Sequence, residues 1–194
     1  MDALAIKEFI SIYQYAVFSQ VRAIFDSLEP SDKDDFPETL IRYNRSLTGE
    51  NEERGLFAEL VENSNLANVV QVLSYFYFIK PLYLEDRFIL FGRDNDRFYI
   101  GFDLVNRKVI LFDDMDGLYT YIADSEGGFF DYLRIYLEYE IMPNELKNDY
   151  KVRLMFRERV IAAVGGEEYN DYYRFVFPGH QNEEIVNITF PFKL

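Results

Sequence analysis

Cysteine and tryptophan are absent from this chain, and histidine occurs once, at His180. Without cysteine there is no disulfide, no thiolate metal site and no cysteine nucleophile. A zinc site needs three or four nitrogen or sulfur ligands, so a lone His180 in Pro178-Gly179-His180-Gln181-Asn182 reads as a turn residue. A Ser–His–Asp arrangement would have to use that same residue, and no Gly-x-Ser-x-Gly elbow is present. The phosphate loops Gly-x-x-x-x-Gly-Lys and Gly-x-Gly-x-x-Gly are missing as well. No apolar run approaches the ~18 residues of a membrane span. The segment Met1-Asp2-Ala3-Leu4-Ala5-Ile6-Lys7-Glu8 carries acids where a secretory signal needs basic residues. The expectation is a cytoplasmic protein with no cofactor, no metal and no membrane association.

What the chain does have is aromatic and acidic residues. Its 194 residues include 19 Phe and 16 Tyr, and 49% are hydrophobic, enough for the core of a single domain spanning residues 1–194. Acidic residues number 34 against 20 basic, giving a formal charge of −14 that is spread over both halves. Such a field repels nucleic acid, because neutralising phosphates requires clustered Lys and Arg. It attracts a basic partner and speeds the encounter. It also keeps a Phe- and Tyr-rich protein in solution. Aromatic platforms that stack on bases come with basic grooves, so at this charge the aromatics read as core.

Helical spacing runs through Leu4, Ile6, Phe9, Ile10, Tyr13, Val17, Val21, Ile24, Phe25 and Leu28, predicting one amphipathic helix over residues 3–28. Phe36-Pro37-Glu38 restarts a helix that carries Leu40, Ile41 and Tyr43, and residues 48–53 read as a loop. Leu56, Phe57, Leu60 and Val61 form a short helical stripe. A second follows the cap cluster Asn63-Ser64-Asn65 through Leu66, Val69, Val70 and Leu73. Ser74–Ile79 fits strand or helix, with Lys80-Pro81 stopping either one. From residue 87 the pattern alternates with period two. Strands are expected at Arg87–Phe91, Phe98–Asp103, Lys108–Phe112 and Leu118–Ile122, followed by a helix from Glu126. Leu146 to Ile161 suggests another helix, stopped at Gly165-Gly166. Tyr172–Phe177 and Ile185–Phe192 read as strands. The predicted class is α+β: a twisted antiparallel sheet of about four to six strands flanked by helices, with a helical N-terminal third.

Asp113-Asp114-Met115-Asp116-Gly117 invites comparison with a calcium loop, which wants Asp first, Gly sixth and Glu twelfth. Placing Gly117 sixth puts Phe112 first and Ala123 last, and Asp94-Asn95-Asp96 has no following Gly. Both read as solvated acidic turns. Two carboxylates converging in a cleft could do acid–base work, but among so many acids no pair is singled out.

The stretch Phe88-Ile89-Leu90-Phe91-Gly92-Arg93-Asp94-Asn95-Asp96-Arg97-Phe98-Tyr99-Ile100-Gly101-Phe102-Asp103 resembles the central hairpin of the SUKH superfamily, which includes yeast cell-wall regulators and bacterial toxin-immunity proteins. Val109-Ile110-Leu111-Phe112 is similar to the family's next strand. Ala123-Asp124-Ser125-Glu126-Gly127-Gly128-Phe129-Phe130-Asp131-Tyr132-Leu133 is similar to its helix start, where Asp124 or Ser125 would cap and Phe129, Phe130 and Leu133 would pin the helix to the sheet. The resemblance covers residues 88–133. It implies a non-enzymatic protein-binding module that neutralises a cognate basic toxin by occlusion. Taken with the charge, it makes the acidic turns at Asp94, Asp96, Asp113, Asp114 and Asp116 the first candidates for the contact face, with no catalytic residue. Two other classes stay open: a carboxylate-dependent hydrolase, and a structural protein that self-associates through exposed aromatics.

Overall fold

The computed structural model describes residues 3–27, 40–42, 55–69, 71, 73–94 and 97–178. Of the helix expected from Phe36-Pro37-Glu38, residues 40–42 are described and are not helical; the rest of it, the loop at 48–53, the strand Ile185–Phe192, His180 and Asp96 lie outside the described residues. The protein is α+β. Helix α1 (Ala3–Ser27) and the short α2 (Leu56–Glu62) precede five strands: β1 (Tyr77–Leu84), β2 (Phe88–Asp94), β3 (Phe98–Asp103), β4 (Val109–Asp113) and β5 (Leu118–Ala123). They form one antiparallel sheet in the order β1-β2-β3-β4-β5, so each strand lies beside its neighbour in sequence. Helices α3 (Glu126–Glu140), α4 (Asn144–Lys147), α5 (Tyr150–Val164) and α6 (Asn170–Val176) follow.

One face of the sheet carries the main core. Phe78, Phe91, Ile100, Phe102, Leu111 and Ile122 meet Phe9 and Tyr13 of α1, Phe57 and Leu60 of α2, and Phe129, Phe130 and Leu133 of α3. Aromatic rings fill this layer: Phe57 stacks on Phe91 with centroids 4.7 Å apart, and Phe9 meets Phe130 at 4.8 Å. Helix α5 packs on α3, and the approach is close at Gly128, where a Cβ would stand 2.6 Å from the Ala163 carbonyl oxygen. Ser125 is the cap of α3, its Oγ accepting from the Gly128 amide at 3.1 Å. Gly165 and Gly166, at φ +120° and +129°, end α5 where the sequence places the stop.

Four local expectations are corrected. The spacing predicts a strand ending at Phe91, but β2 continues to Asp94 through a register shift between Leu90 and Gly92. A side chain at Gly92 would stand 2.2 Å from Phe76, which is why glycine fits inside the strand there. Lys80-Pro81 does not stop β1: it is an edge strand, and Pro81 falls where its pairing with β2 shifts, so the missing N–H costs no ladder bond. In the second helical stripe, expected from Leu66 to Leu73, the described residues form a 3-10 turn at Leu66–Asn68, after which Val69 is extended. Instead of capping a helix, the Asn65 side chain accepts from the Arg42 amide and donates to the Leu40 carbonyl, at 2.7 and 2.8 Å. Finally, Tyr172–Phe177 is helical apart from its last residue. Tyr173 and Phe177 face α3, 4.9 Å from Tyr132 and 5.5 Å from Tyr136 between centroids. Burial of that stripe outweighs the strand preference of Tyr, Phe and Val.

Candidate interaction surface and a polar cleft

The meander brings the β2–β3 and β4–β5 turns to the same end of the sheet, where the register sets Asp94 and Asp113 on either side of Phe98. Their environments differ from those of their neighbours. Asp113 is buried and builds its own turn: Oδ1 accepts from the Met115 amide at 3.0 Å, and the backbone oxygen accepts from Gly117 N at 2.9 Å. Arg97 Nη2 lies 3.6 Å from its Oδ2. Gly117 takes φ +67°, the left-handed conformation that closes this turn. Asp114 and Asp116 stand exposed on the tip, flanking Met115, which is 86% exposed.

Asp94 is 2% exposed and faces inward, towards Tyr132 of α3 and Tyr172 of α6. Burial pushes its carboxyl up to about 6, with the Tyr172 hydroxyl pulling the other way. Of the five acids chosen from sequence, Asp114 and Asp116 are therefore presented together. Asp94 and Asp113 are withdrawn into the fold, where they cannot offer a carboxylate to a partner, and Asp96 lies outside the described residues.

The opposite face of the sheet holds a second apolar cluster of Phe88, Leu90, Ile110 and Tyr119, with Tyr99, Phe112 and Tyr121 half-buried around it. A cross-strand row runs Tyr77, Arg93, Tyr99, Phe112, Tyr119. At one end of this face Arg87 lies over the rings of Phe88 and Tyr119, 4.6 and 5.0 Å from their centroids. It donates to Asp103 at 3.1 Å and to the Tyr119 hydroxyl at 2.7 Å. Asp103 is fully buried and accepts further from Tyr121, from Asn106 Nδ2 and from the amides of Val105 and Asn106. Burial alone would raise its carboxyl, but these donors outweigh it and hold the group at about 2. Sequence reasoning missed this network. Its signals are the period-two placement of Phe88 and Leu90 in one strand and of Tyr119 and Tyr121 in another, and an Asp ending a strand three residues before Asn106.

A cleft of about 370 Å³ opens where the end of α3 meets α4, α5, the end of α6 and the segment before β1. Glu140 is its single carboxylate among the described residues. Among the described residues no group of three or more His, Cys, Asp or Glu is placed to hold a metal, and no helix is long and apolar enough to cross a membrane. No family model, no curated protein and no solved structure matches this chain.

Proposed function

We propose that this chain is a non-enzymatic, acidic protein-binding module of the SUKH immunity kind, which neutralises a basic toxin by covering it. The observation that carries the reading is the β4–β5 tip: two exposed carboxylates flank an exposed thioether on a turn fixed from beneath by buried Asp113. A preformed tip loses little conformational freedom on binding, and its charges act on a cationic partner before contact. The −14 charge extends that attraction over the rest of the molecule. The resemblance over residues 88–133 supplies the class of partner.

The test begins with capture of cationic proteins from the native cell at graded salt, followed by association kinetics with the captured partner. Asp114→Asn with Asp116→Asn is expected to lower the association rate about two- to tenfold at low salt and to flatten its salt dependence. The captured protein should also be toxic when expressed alone and harmless when co-expressed with this chain. An association rate and salt dependence unchanged by the double substitution would remove the tip from the contact face. A partner whose toxicity persists on co-expression would remove the immunity reading.

A further inference from the structure

Asp94 is badly placed for an ion. It is 2% exposed at the end of β2, and its Oδ1 has no hydrogen-bond partner among the described residues. A buried carboxylate short of donors is costly once it ionises, in contrast to Asp103 with its ring of them. The groups that face Asp94 are two buried tyrosine hydroxyls, from Tyr132 of α3 and Tyr172 of α6. The Tyr132 hydroxyl itself makes no hydrogen bond of good geometry. The cations nearby are engaged elsewhere. Arg93, the preceding residue of β2, lies over the Tyr99 ring on the other face of the sheet, 4.7 Å from its centroid. Arg97 lies beside Asp113, two strands away across Phe98. Glu140, roughly two turns further along α3, adds negative charge on the Tyr132 side. Burial thus raises the Asp94 carboxyl from 3.8 to about 6. Of the elements that enclose it, α6 is the one able to yield. The sheet is laddered throughout and α3 buries six side chains, whereas α6 has seven residues, too few to hold a helix without its packing. Lifting α6 returns the carboxyl to water.

We propose that Asp94, Tyr132 and Tyr172 form a proton-operated clasp, which holds α6 down while Asp94 carries its proton and lets α6 open locally when the proton leaves. Val176 and Pro178, at the end of α6, wall the polar cleft, so the cleft widens in the same step. Opening restores the carboxyl to its ordinary 3.8, and between that value and about 6 it releases a proton. Rising pH therefore favours the open form, by about tenfold in the opening equilibrium from about pH 5 to about pH 7.5. The inference is independent of the toxin-binding reading and survives its failure.

Native-state hydrogen exchange of the full chain at these two pH values, corrected for the chemistry of exchange itself, tests it. The amides of residues 174–177 are expected to open about tenfold more often at the higher pH, while those in the middle of α3 and β3 change less. In Asp94→Asn, which keeps the shape and cannot ionise, the amides of residues 174–177 should show no such change. Carbon-13 resonance of the Asp94 carboxyl in the unaltered chain gives a second measure that needs no variant, with a midpoint expected near 6. A midpoint near 4 would overturn the proposal. So would amides of residues 174–177 that move in step with those of α3 and β3, since the carboxylate would then be relieved only by unfolding of the whole molecule. A pH dependence that persists in Asp94→Asn would assign the effect to another group and overturn it equally.

Discussion

Asp94, the last residue of β2, and Asp103, the last of β3, lie at opposite ends of the β2–β3 pair and show how burial alone does not decide a carboxylate's chemistry. Asp103 accepts from five donors and is held at about 2, so its contribution is present at neutral pH and is lost as the pH falls from about 4 towards 2. Asp94 has the reverse sign. Its carboxyl is raised from 3.8 to about 6, so folding takes up a proton in that interval. The protein is therefore stabilised as the pH falls from about 6 to about 4, and the buried charge is a cost above that window. Asp94→Asn is expected to stabilise the protein at pH 7 by roughly 1–3 kcal/mol, with a gain that shrinks towards pH 4; urea unfolding at both pH values measures it. Equal effects at the two pH values would contradict the assignment. Neither acid's role was legible in the chain. Both close a strand before a polar turn, and only the fold sends one towards Tyr172 and the other to Arg87.

At the scale of elements, the helices are tied to one another through their ends. Glu126, in the first turn of α3, is half-buried, and its carboxylate accepts from the amides of Leu56 and Phe57, each at 2.9 Å. It thereby caps α2, whose own N-cap residue, Gly55, has no side chain to do so. Where α3 crosses α5, Gly128 leaves no room for a methyl group. Alanine there would gain about 1 kcal/mol of helix propensity yet push against the Ala163 carbonyl, so Gly128→Ala is expected to destabilise the protein by roughly 1–3 kcal/mol in thermal unfolding. Stabilisation would mean that the helices separate easily. The strands and the capped start of α3 were readable from sequence, because short apolar-aromatic runs between Phe98 and Ile122 are separated by polar turns and Ser125 precedes an apolar stripe. The segments at Ser74–Ile79 and Tyr172–Phe177 were not. Their aromatic side chains suit either geometry, and the outcome is set by partners such as Tyr132 for Tyr173 and Phe129 for Phe76, distant in sequence.

For the molecule as a whole, a charge of −14 is a source of self-repulsion as well as of attraction to cations. Screening should relieve it. Raising salt from about 0.01 to about 0.2 M shortens the screening length from roughly 30 to below 10 Å and is expected to raise the melting temperature by a few degrees at pH 7. A melting temperature that falls with salt would show that the attractive pairs outweigh the repulsion. Charge and the missing catalytic motifs were plain in the sequence, as was the α+β class. The cleft was not, since Ser74, Glu140, Lys147 and Arg153 come from four separated segments with no shared spacing.

The meander has a last consequence, for how the chain reaches this state. Each strand closes on the one made just before it, so from Tyr77 to Ala123 no contact of the ladder demands a long loop. Helix α1 is in the other position: Phe9 must find Phe130 across more than half the polypeptide. Assembly of the sheet is thus a sequence of short closures, and docking of the amino-terminal helix is the entropically expensive step that completes the core.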